Sequence, residues 1–410
     1  MNFNDDFEEA AFRAEARAWL EQNAPRKQTR GGDFVRRELE PEEVQRSRQW
    51  QRRKAEGRFA CIGYAPEFGG RGGTPMQEII YDQEQAHFDV PMNVFSITHG
   101  MCIPTLMTVG DAATKARFVL PAVRGEHIWC QLFSEPAAGS DVAGLRTRAV
   151  KDGADWIING QKVWTSWAQY SDYGLLLVRT NPDVPKHKGL TMFWIDMKAP
   201  GVEVRPIHQM SGGSDFNEVY FADLRIADSQ RLGGEGAGWQ VALVTLMNER
   251  LSIGGSFGPS YRDMIELVNG LAASSGRVAF RDQAFRERLA DWYVAMAGLR
   301  YTRMRTLTAL SRGQTPGPES SISKVVGGNQ AQELASAALD LLDEYGILDD
   351  ADLAPLHGMF QRYFMAAPAI RIAGGTDEIL LNIIAERVLG LPGDVRVDKN
   401  IAFRDLPGGR

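Results

Sequence analysis

The sequence predicts an α+β multidomain fold in three parts: an N-terminal α-helical domain over residues 1–127, a middle β-barrel domain over 128–233 and a C-terminal four-helix bundle over 234–389, with a tail at 390–410. Three observations predict it. The apolar spacing is helical before about residue 127, gives way to short runs rich in β-branched and aromatic residues up to about residue 233, and is helical again afterwards. The middle runs are evenly spaced, as in a small barrel or sandwich. The last helical patterns are long with short breaks, which fits a bundle.

Phe7, Ala11, Ala14 and Ala18 recur at three- and four-residue steps and predict a first helix, and Pro41-Glu42-Glu43 reads as the first turn of another. Asp111 is placed to cap a further helix reaching Leu120, where Pro121 is expected to stop it. Strands are expected at Ile128–Phe133, Trp156–Ile158, Leu175–Arg179, Leu190–Ile195, Val202–Ile207 and Glu218–Ile226, with Asn159-Gly160 as a hairpin signal. Gly233-Gly234-Glu235-Gly236-Ala237-Gly238 lacks the Gly-x-Gly-x-x-Gly spacing and has no β-α-β unit around it. It reads as the linker into the next helix. Helical patterns then run from Trp239 to about Leu271, Asp282 to Leu310, Ser320 to Tyr345 and Thr376 to Leu389. Gly390 to Arg410 is polar and contains Gly and Pro, as an extended tail or a subunit-contacting arm would.

At 410 residues and 44% hydrophobic, the chain can bury large cores in two or three domains. Its net charge of −6, with Lys and Arg dispersed, gives no electrostatic case for nucleic acid. No apolar run approaches the roughly 20 residues of a membrane span, and Gly174-Leu175-Leu176-Leu177-Val178 is strand-length. The start, Met1-Asn2-Phe3-Asn4-Asp5-Asp6, lacks the basic residues and apolar core of a signal peptide, so a cytoplasmic location is expected. Cys61, Cys102 and Cys130 form no Cys-x-x-Cys, and the 6 histidines show no His-x-x-x-His; neither disulfides nor a metal site is expected.

Two segments carry the chemistry. In Leu132-Phe133-Ser134-Glu135-Pro136-Ala137-Ala138-Gly139-Ser140-Asp141, Pro136 fixes one backbone angle and the small residues let a ligand approach the backbone, while Ser140 and Asp141 offer oxygens and amides. In Trp164-Thr165-Ser166, at a strand's end, an indole is available to stack on a ring while a hydroxyl bonds its edge. Either alone reads as ordinary barrel core with a polar turn. Together they resemble the acyl-CoA dehydrogenases, whose middle domain carries a Thr/Ser-Glu-Pro-x-Ala-Gly-Ser-Asp segment and then Trp-x-Thr/Ser.

The resemblance runs through nearly the whole chain and implies FAD as cofactor, lying between the barrel and the bundle. It places Gln131, Leu132, Phe133 and Ser134 along the pyrimidine side of the flavin and Ser140 where cofactor and thioester meet. Trp164 would lie against the isoalloxazine, Thr165 would contribute backbone, and the Ser166 hydroxyl would lie near N5. Thr376 and Glu378 match positions on the ribityl and adenosine side, and also read as a helix N-cap followed by first-turn acids.

Desaturating a thioester requires a carboxylate near the α carbon, in a water-poor site that raises its pKa toward the task. In the medium- and short-chain branches a glutamate immediately precedes Gly-Thr; here the stretch is Ala373-Gly374-Gly375-Thr376, and Gly374 stands in that slot. The long-chain and isovaleryl branches place the base on an earlier helix before an arginine, and this chain reads Asn248-Glu249-Arg250. Considered on its helix alone, Glu249 reads as a partner of a nearby arginine or a surface acid. Its coincidence with Gly374 makes it the expected catalytic base. Arg250 would order the acyl pocket or serve as an ion-pair partner, and Gly374 and Gly375 would leave room for the thioester.

The Arg-x-x-Phe-Gly segment that grips the pyrophosphate in the family is not recognisable at Ser275-Gly276-Arg277-Val278-Ala279-Phe280-Arg281, and Asp340–Gly346 replaces the family's Gln-x-x-Gly-Gly-x-Gly. Some bacterial relatives, including those acting on steroid side chains, are tetramers of two different subunits, so a homo- or hetero-tetramer is implied. The expected reaction is desaturation of an acyl-CoA substrate to a trans-2-enoyl-CoA, as in β-oxidation and lipid metabolism, with electrons passed to an electron-transfer flavoprotein. The alternatives are an acyl-CoA oxidase or flavin monooxygenase of the same superfamily, and a non-catalytic subunit of a mixed tetramer.

Overall fold

The computed structural model describes residues 5–27, 39–252, 258–275, 279–311, 317–318, 320–348, 350–393, 395 and 397–407. The chain forms two compact units. One comprises Phe12–Ala24, Glu38–Ser252 and Asp394–Arg410, the other Met1–Ala11, Pro25–Arg37 and Ile253–Gly393.

Among the described residues five α-helices precede the strands: α1 Phe7–Asn23, α2 Pro41–Glu56, α3 Pro75–Gln85, α4 Ile103–Val109 and α5 Ala112–Val123. In α1 the buried residues are Phe12, Ala16 and Leu20, a strict four-residue repeat, while Phe7, Ala11, Ala14 and Ala18 are exposed. The helix expected from that spacing is present, and its buried face is set by the larger Phe12 and Leu20 side chains, which bury more surface than the alanines. Asp111 caps α5, accepting from Thr114 N–H at 2.7 Å. Pro121 lies inside that helix rather than ending it. Proline removes one late hydrogen bond there, and the fully buried Ala122 and Val123 hold the last turn in place.

Eight strands follow, β1 Trp129–Leu132, β2 Arg148–Asp152, β3 Asp155–Ser166, β4 Tyr173–Arg179, β5 Leu190–Asp196, β6 Val202–Ile207, β7 Phe216–Ala227 and β8 Arg231–Leu232. They form one sheet in the order β6-β7-β3-β2-β4-β5-β8, with β1 pairing parallel to β4. The continuous apolar run in β4 has a physical reason. Leu175 and Leu177 pack with Phe118 and Trp129, while Leu176 and Val178 pack on the opposite face with Trp156 and Phe193. Alternate side chains of one strand thus serve two cores.

Asn159-Gly160 is not a hairpin turn. It lies within β3, at a register shift against β7, and a side chain at Gly160 would run into Thr147. The β2–β3 turn is at Gly153, whose φ of 64° suits glycine. The glycine run 233–238 is the loop into α6 Gly238–Ser252, which contributes Val241 and Ala242 to the core containing Phe118.

The other unit contains α7 Tyr261–Ser275, α8 Gln283–Ser311, α9 Ser320–Leu342, α10 Met359–Ile372 and α11 Asp377–Ile383. Its core gathers Met264, Leu267, Phe285, Trp292, Leu334 and Phe360. The helix expected from Trp239 to Leu271 is two helices, α6 and α7. α10 lies in the gap between the expected helices ending at Tyr345 and starting at Thr376; it contains Pro368 yet buries Phe360 and Ala367. Among the described residues no helix is long and apolar enough to cross a membrane.

Candidate functional site

β1 delivers the chain into a tight turn. Gln131 is half-buried, Leu132 and Phe133 are buried, and Glu135 and Ala138 exchange backbone hydrogen bonds of 3.0 Å in both directions. Ser134 is half-exposed, and its carbonyl accepts the Val163 N–H at 2.9 Å. This bond sets the serine beside the end of β3. The two segments singled out in the sequence therefore meet at one end of the sheet.

Trp164 stands out there. Between Lys162 and Thr165 the register of β3 against β7 slips, and Trp164 takes φ 60°, with Trp167 following at φ 53°. Bulky residues rarely adopt positive φ, and such strain, like β-bulges, concentrates where a side chain must be re-aimed. The result is an indole 59% exposed, propped edge-on by Phe216 at 6.0 Å between centroids. Ser166, half-exposed, pairs with Phe216 across the strands.

Thr165 is buried, its backbone carbonyl accepts from Asn217 Nδ2 at 3.0 Å, and its hydroxyl oxygen has no partner. Ser140 is exposed, and a side chain at its neighbour Gly139 would meet nothing within 4 Å. An open turn, an exposed indole, two half-exposed hydroxyls and an unpartnered buried one fit a flat ring with hydrogen-bonding edges.

What holds this arrangement is a pair that motif reading passed over. Lys162 Nζ lies 2.8 Å from Glu135 Oε1 and 3.0 Å from the Phe133 carbonyl, and the Glu135 carboxylate also accepts the Arg146 and Thr147 amides at 2.6 and 2.9 Å. The signal was a lysine at even steps from Trp156 and Ile158, on the buried face of its strand.

In the other unit, Gly374 and Gly375 take φ 64° and 93°, the left-handed region that favours glycine. Thr376 caps α11 by accepting the Ile379 N–H at 3.3 Å, and Lys324 donates to the Gly375 carbonyl. Glu378 is exposed; its own backbone amide and the Thr376 side chain hold its carboxyl below the usual range. Arg371 pairs with the buried Asp377 at 2.6 Å. Glu249 and Arg250 belong to the last turns of α6, and their side chains lie outside the described residues. Thr245, one turn earlier in α6, is buried and its hydroxyl lies 2.9 Å from that of Thr105 on α4.

Family models for the N-terminal, middle and C-terminal domains of acyl-CoA dehydrogenases match residues 6–126, 130–224 and 236–389. The chain is 35% identical over 397 residues to acyl-CoA dehydrogenase IpdE1 of Mycobacterium tuberculosis, covering 94% of this chain and 98% of that protein. It is 38% identical over 325 residues to acyl-CoA dehydrogenase FadE34 of the same organism, a match covering 79% of this chain but only 43% of FadE34, so it spans less than half of that relative. The ChsE4-ChsE5 complex from M. tuberculosis superposes with a TM-score of 0.77 at 27% identity, covering 96% of this chain and 100% of that one.

Proposed function

The chain belongs to the acyl-CoA dehydrogenase family, and from that premise we propose that it is an FAD-dependent oxidoreductase that desaturates an acyl-CoA thioester between its α and β carbons. The observation that carries this reading is the Ser134–Val163 bond, which sets the Ser134 hydroxyl and the strained, outward-turned Trp164 at one site. Bound FAD supplies the acceptor for the β hydride. By the family resemblance, Gln131, Leu132, Phe133, Ser134, Trp164, Thr165 and Ser166 would hold the ring of that group, and Thr376 and Glu378 match the family positions for its ribityl and adenosine portion. Ser140 would contact the thioester.

The base is Glu249, which takes the α proton. Gly374 offers no carboxylate in the other family position, and its φ of 64° disfavours any side chain there. Arg250 orders the acyl pocket, and Gly374 and Gly375 admit the thioester. An electron-transfer flavoprotein takes the electrons, and the assembly is a tetramer with a second, different chain. The 27% identical relative was solved as a ChsE4-ChsE5 complex, and the family's pyrophosphate-gripping segment is not recognisable here.

The test is anaerobic bleaching of the purified yellow protein by a panel of acyl-CoA thioesters. Glu249→Gln with FAD retained should not bleach; full bleaching rejects Glu249 as base. A colourless wild-type preparation would favour a non-catalytic subunit, and turnover-rate peroxide formation an oxidase.

A further inference from the structure

Residues 397–407 do not trail away from the fold. They belong to the sheet-bearing unit, although the helices before them belong to the other. The Phe403 N–H donates to the Val184 carbonyl at 2.9 Å, the Arg404 N–H to the Pro182 carbonyl at 3.1 Å, and Pro185 and Ala402 form an antiparallel bridge. The segment is thus packed on its own unit and does not extend away from it.

Two side chains carry the contact onward to the turn that bears Ser140. The Phe403 ring, 5% exposed, lies on the Arg179 guanidinium, 3.4 Å from the ring centroid. Arg179 in turn donates to the Ala143 carbonyl at 2.7 Å, the Leu145 carbonyl at 3.1 Å and the Lys186 carbonyl at 3.1 Å. Its donors thus fix the helical turn Val142–Gly144, directly after Ser140-Asp141. Independently, Lys186 Nζ bridges Asp141 at 2.8 Å and Asp398 at 2.6 Å.

We propose that the arm 397–407 is a positioning element of the thioester site, with Phe403 and Asp398 holding the Ser140-Asp141 turn in its binding geometry and so setting substrate affinity. This rests on the reading of Ser140 as a thioester contact. Of the two links the aromatic one is the stronger. Arg179 is a buried cation whose pKa burial lowers to about 10, and the negative face of the Phe403 ring compensates it while excluding water from its three carbonyl bonds. Asp141 is 60% exposed, so its ion pair is screened and contributes less.

The experiment uses the full-length holoprotein and four variants: Phe403→Ala, Phe403→Tyr, Asp398→Asn and, as a control outside the arm, Arg225→Ala, whose exposed side chain pairs with Asp152 and Asp155. Amide hydrogen exchange reads the peptide 139–146. Perturbation of the flavin absorbance by acetoacetyl-CoA, whose β carbon carries no hydride to lose, reads thioester affinity. Phe403→Ala should speed exchange in 139–146 and raise the dissociation constant about tenfold, the equivalent of ~1.4 kcal/mol. KM should rise with it while kcat changes little. Phe403→Tyr should restore both readouts, Asp398→Asn should act in the same direction but less, and Arg225→Ala should leave both unchanged. Unchanged exchange in folded Phe403→Ala overturns the positioning role, as does faster exchange with unchanged affinity. A wild-type holoprotein whose flavin does not respond to the thioester overturns the site assignment itself; exchange, which needs no ligand, distinguishes that failure from a failed positioning role.

Discussion

The ammonium of Lys162, with none of its side chain exposed, lies 2.8 Å from the Glu135 carboxylate, and the pair joins the turn after β1 to the strand that presents Trp164. Burial works to raise the Glu135 carboxyl; the Lys162 charge and hydrogen bond, with the Thr147 and Arg146 donors, outweigh it and hold the carboxyl below the usual range. Burial also draws the Lys162 ammonium down while Glu135 draws it up. With three donor groups on the carboxylate, the ionised pair is the state the geometry supports. Removing one partner leaves a buried charge uncompensated, so Lys162→Met should cost about 3–5 kcal/mol in urea unfolding. Adding Glu135→Gln to it should recover part of that loss. Strictly additive losses would show that the two groups do not act as a pair.

Trp164 should separate cofactor retention from stability. Its indole is 59% exposed, so truncation removes little core packing, and Trp164→Gly also removes a bulky residue from φ 60°. Unfolding stability should therefore stay within about 0.5 kcal/mol of wild type or improve. Loss of stacking on one ring should weaken FAD binding by about 1–3 kcal/mol, on the scale of an aromatic–base stack. The ratio of flavin to protein after dialysis measures the second effect and thermal unfolding of the apoprotein the first. Undiminished FAD retention would remove Trp164 from the cofactor site.

The helices and strands were legible where one face or both are buried over several residues, as in β4, whose unbroken apolar run matches its two cores. The paired Ser134 and Trp164 segments were legible because turn chemistry and an indole after a strand are local signals. The left-handed φ at Trp164 was not, since it arises from a register slip against β7 that no single segment encodes. Nor was Arg179 under Phe403, whose partners stand far apart in sequence and meet only once the arm folds back. α10 was not expected; it holds Pro368 in its interior, and burial of Phe360 and Ala367 offsets the hydrogen bond that the proline removes. Asn159-Gly160 misled for the opposite reason: a strong local turn signal was overridden by pairing of β3 with β7 across it.

Glycine at position 374 should be irreplaceable by a relocated base. Moving the carboxylate back, by Gly374→Glu in a Glu249→Gln background, places a side chain at φ 64°, where an L residue costs about 1–2 kcal/mol. The double variant should show no recovery of flavin bleaching, and a lower melting temperature than Glu249→Gln alone. Recovery of activity would mean that the backbone there relaxes readily and that Gly374 says nothing about where the base must be.

Thr105 and Thr245 share a buried contact with too few hydrogens. Thr105 Oγ1 lies 2.7 Å from the Met101 carbonyl, Thr245 Oγ1 lies 3.2 Å from the Val241 carbonyl, and the two hydroxyls lie 2.9 Å apart, so two hydrogens serve three possible bonds. Whichever hydroxyl bonds the other releases its own carbonyl. Each Thr→Val change should therefore cost only about 1 kcal/mol, with a coupling of about 0.5 kcal/mol or more in a double-mutant cycle. Zero coupling would mean that α4 and α6 are held by packing alone.

His99 should give the protein an acid-sensitive step. It stacks on Phe95 at 5.4 Å, its Nε2 lies 2.9 Å from the Ala122 carbonyl, and burial lowers its pKa to about 4, with the nearby Lys54 charge acting in the same direction and the Ala122 bond opposing. The unfolded value is about 6.5, so the unfolded chain takes up a proton on acidification before the folded one does. His99 thus contributes nothing to the pH dependence above about 6.5, and the fold loses stability as pH falls from there toward about 4, by on the order of 1–3 kcal/mol. His99→Gln removes the titrating group. Its urea-unfolding free energy should fall less steeply than that of wild type across this window and run parallel to it above pH 7. Parallel curves throughout would show that the ring is protonated in the native state as easily as in the unfolded one.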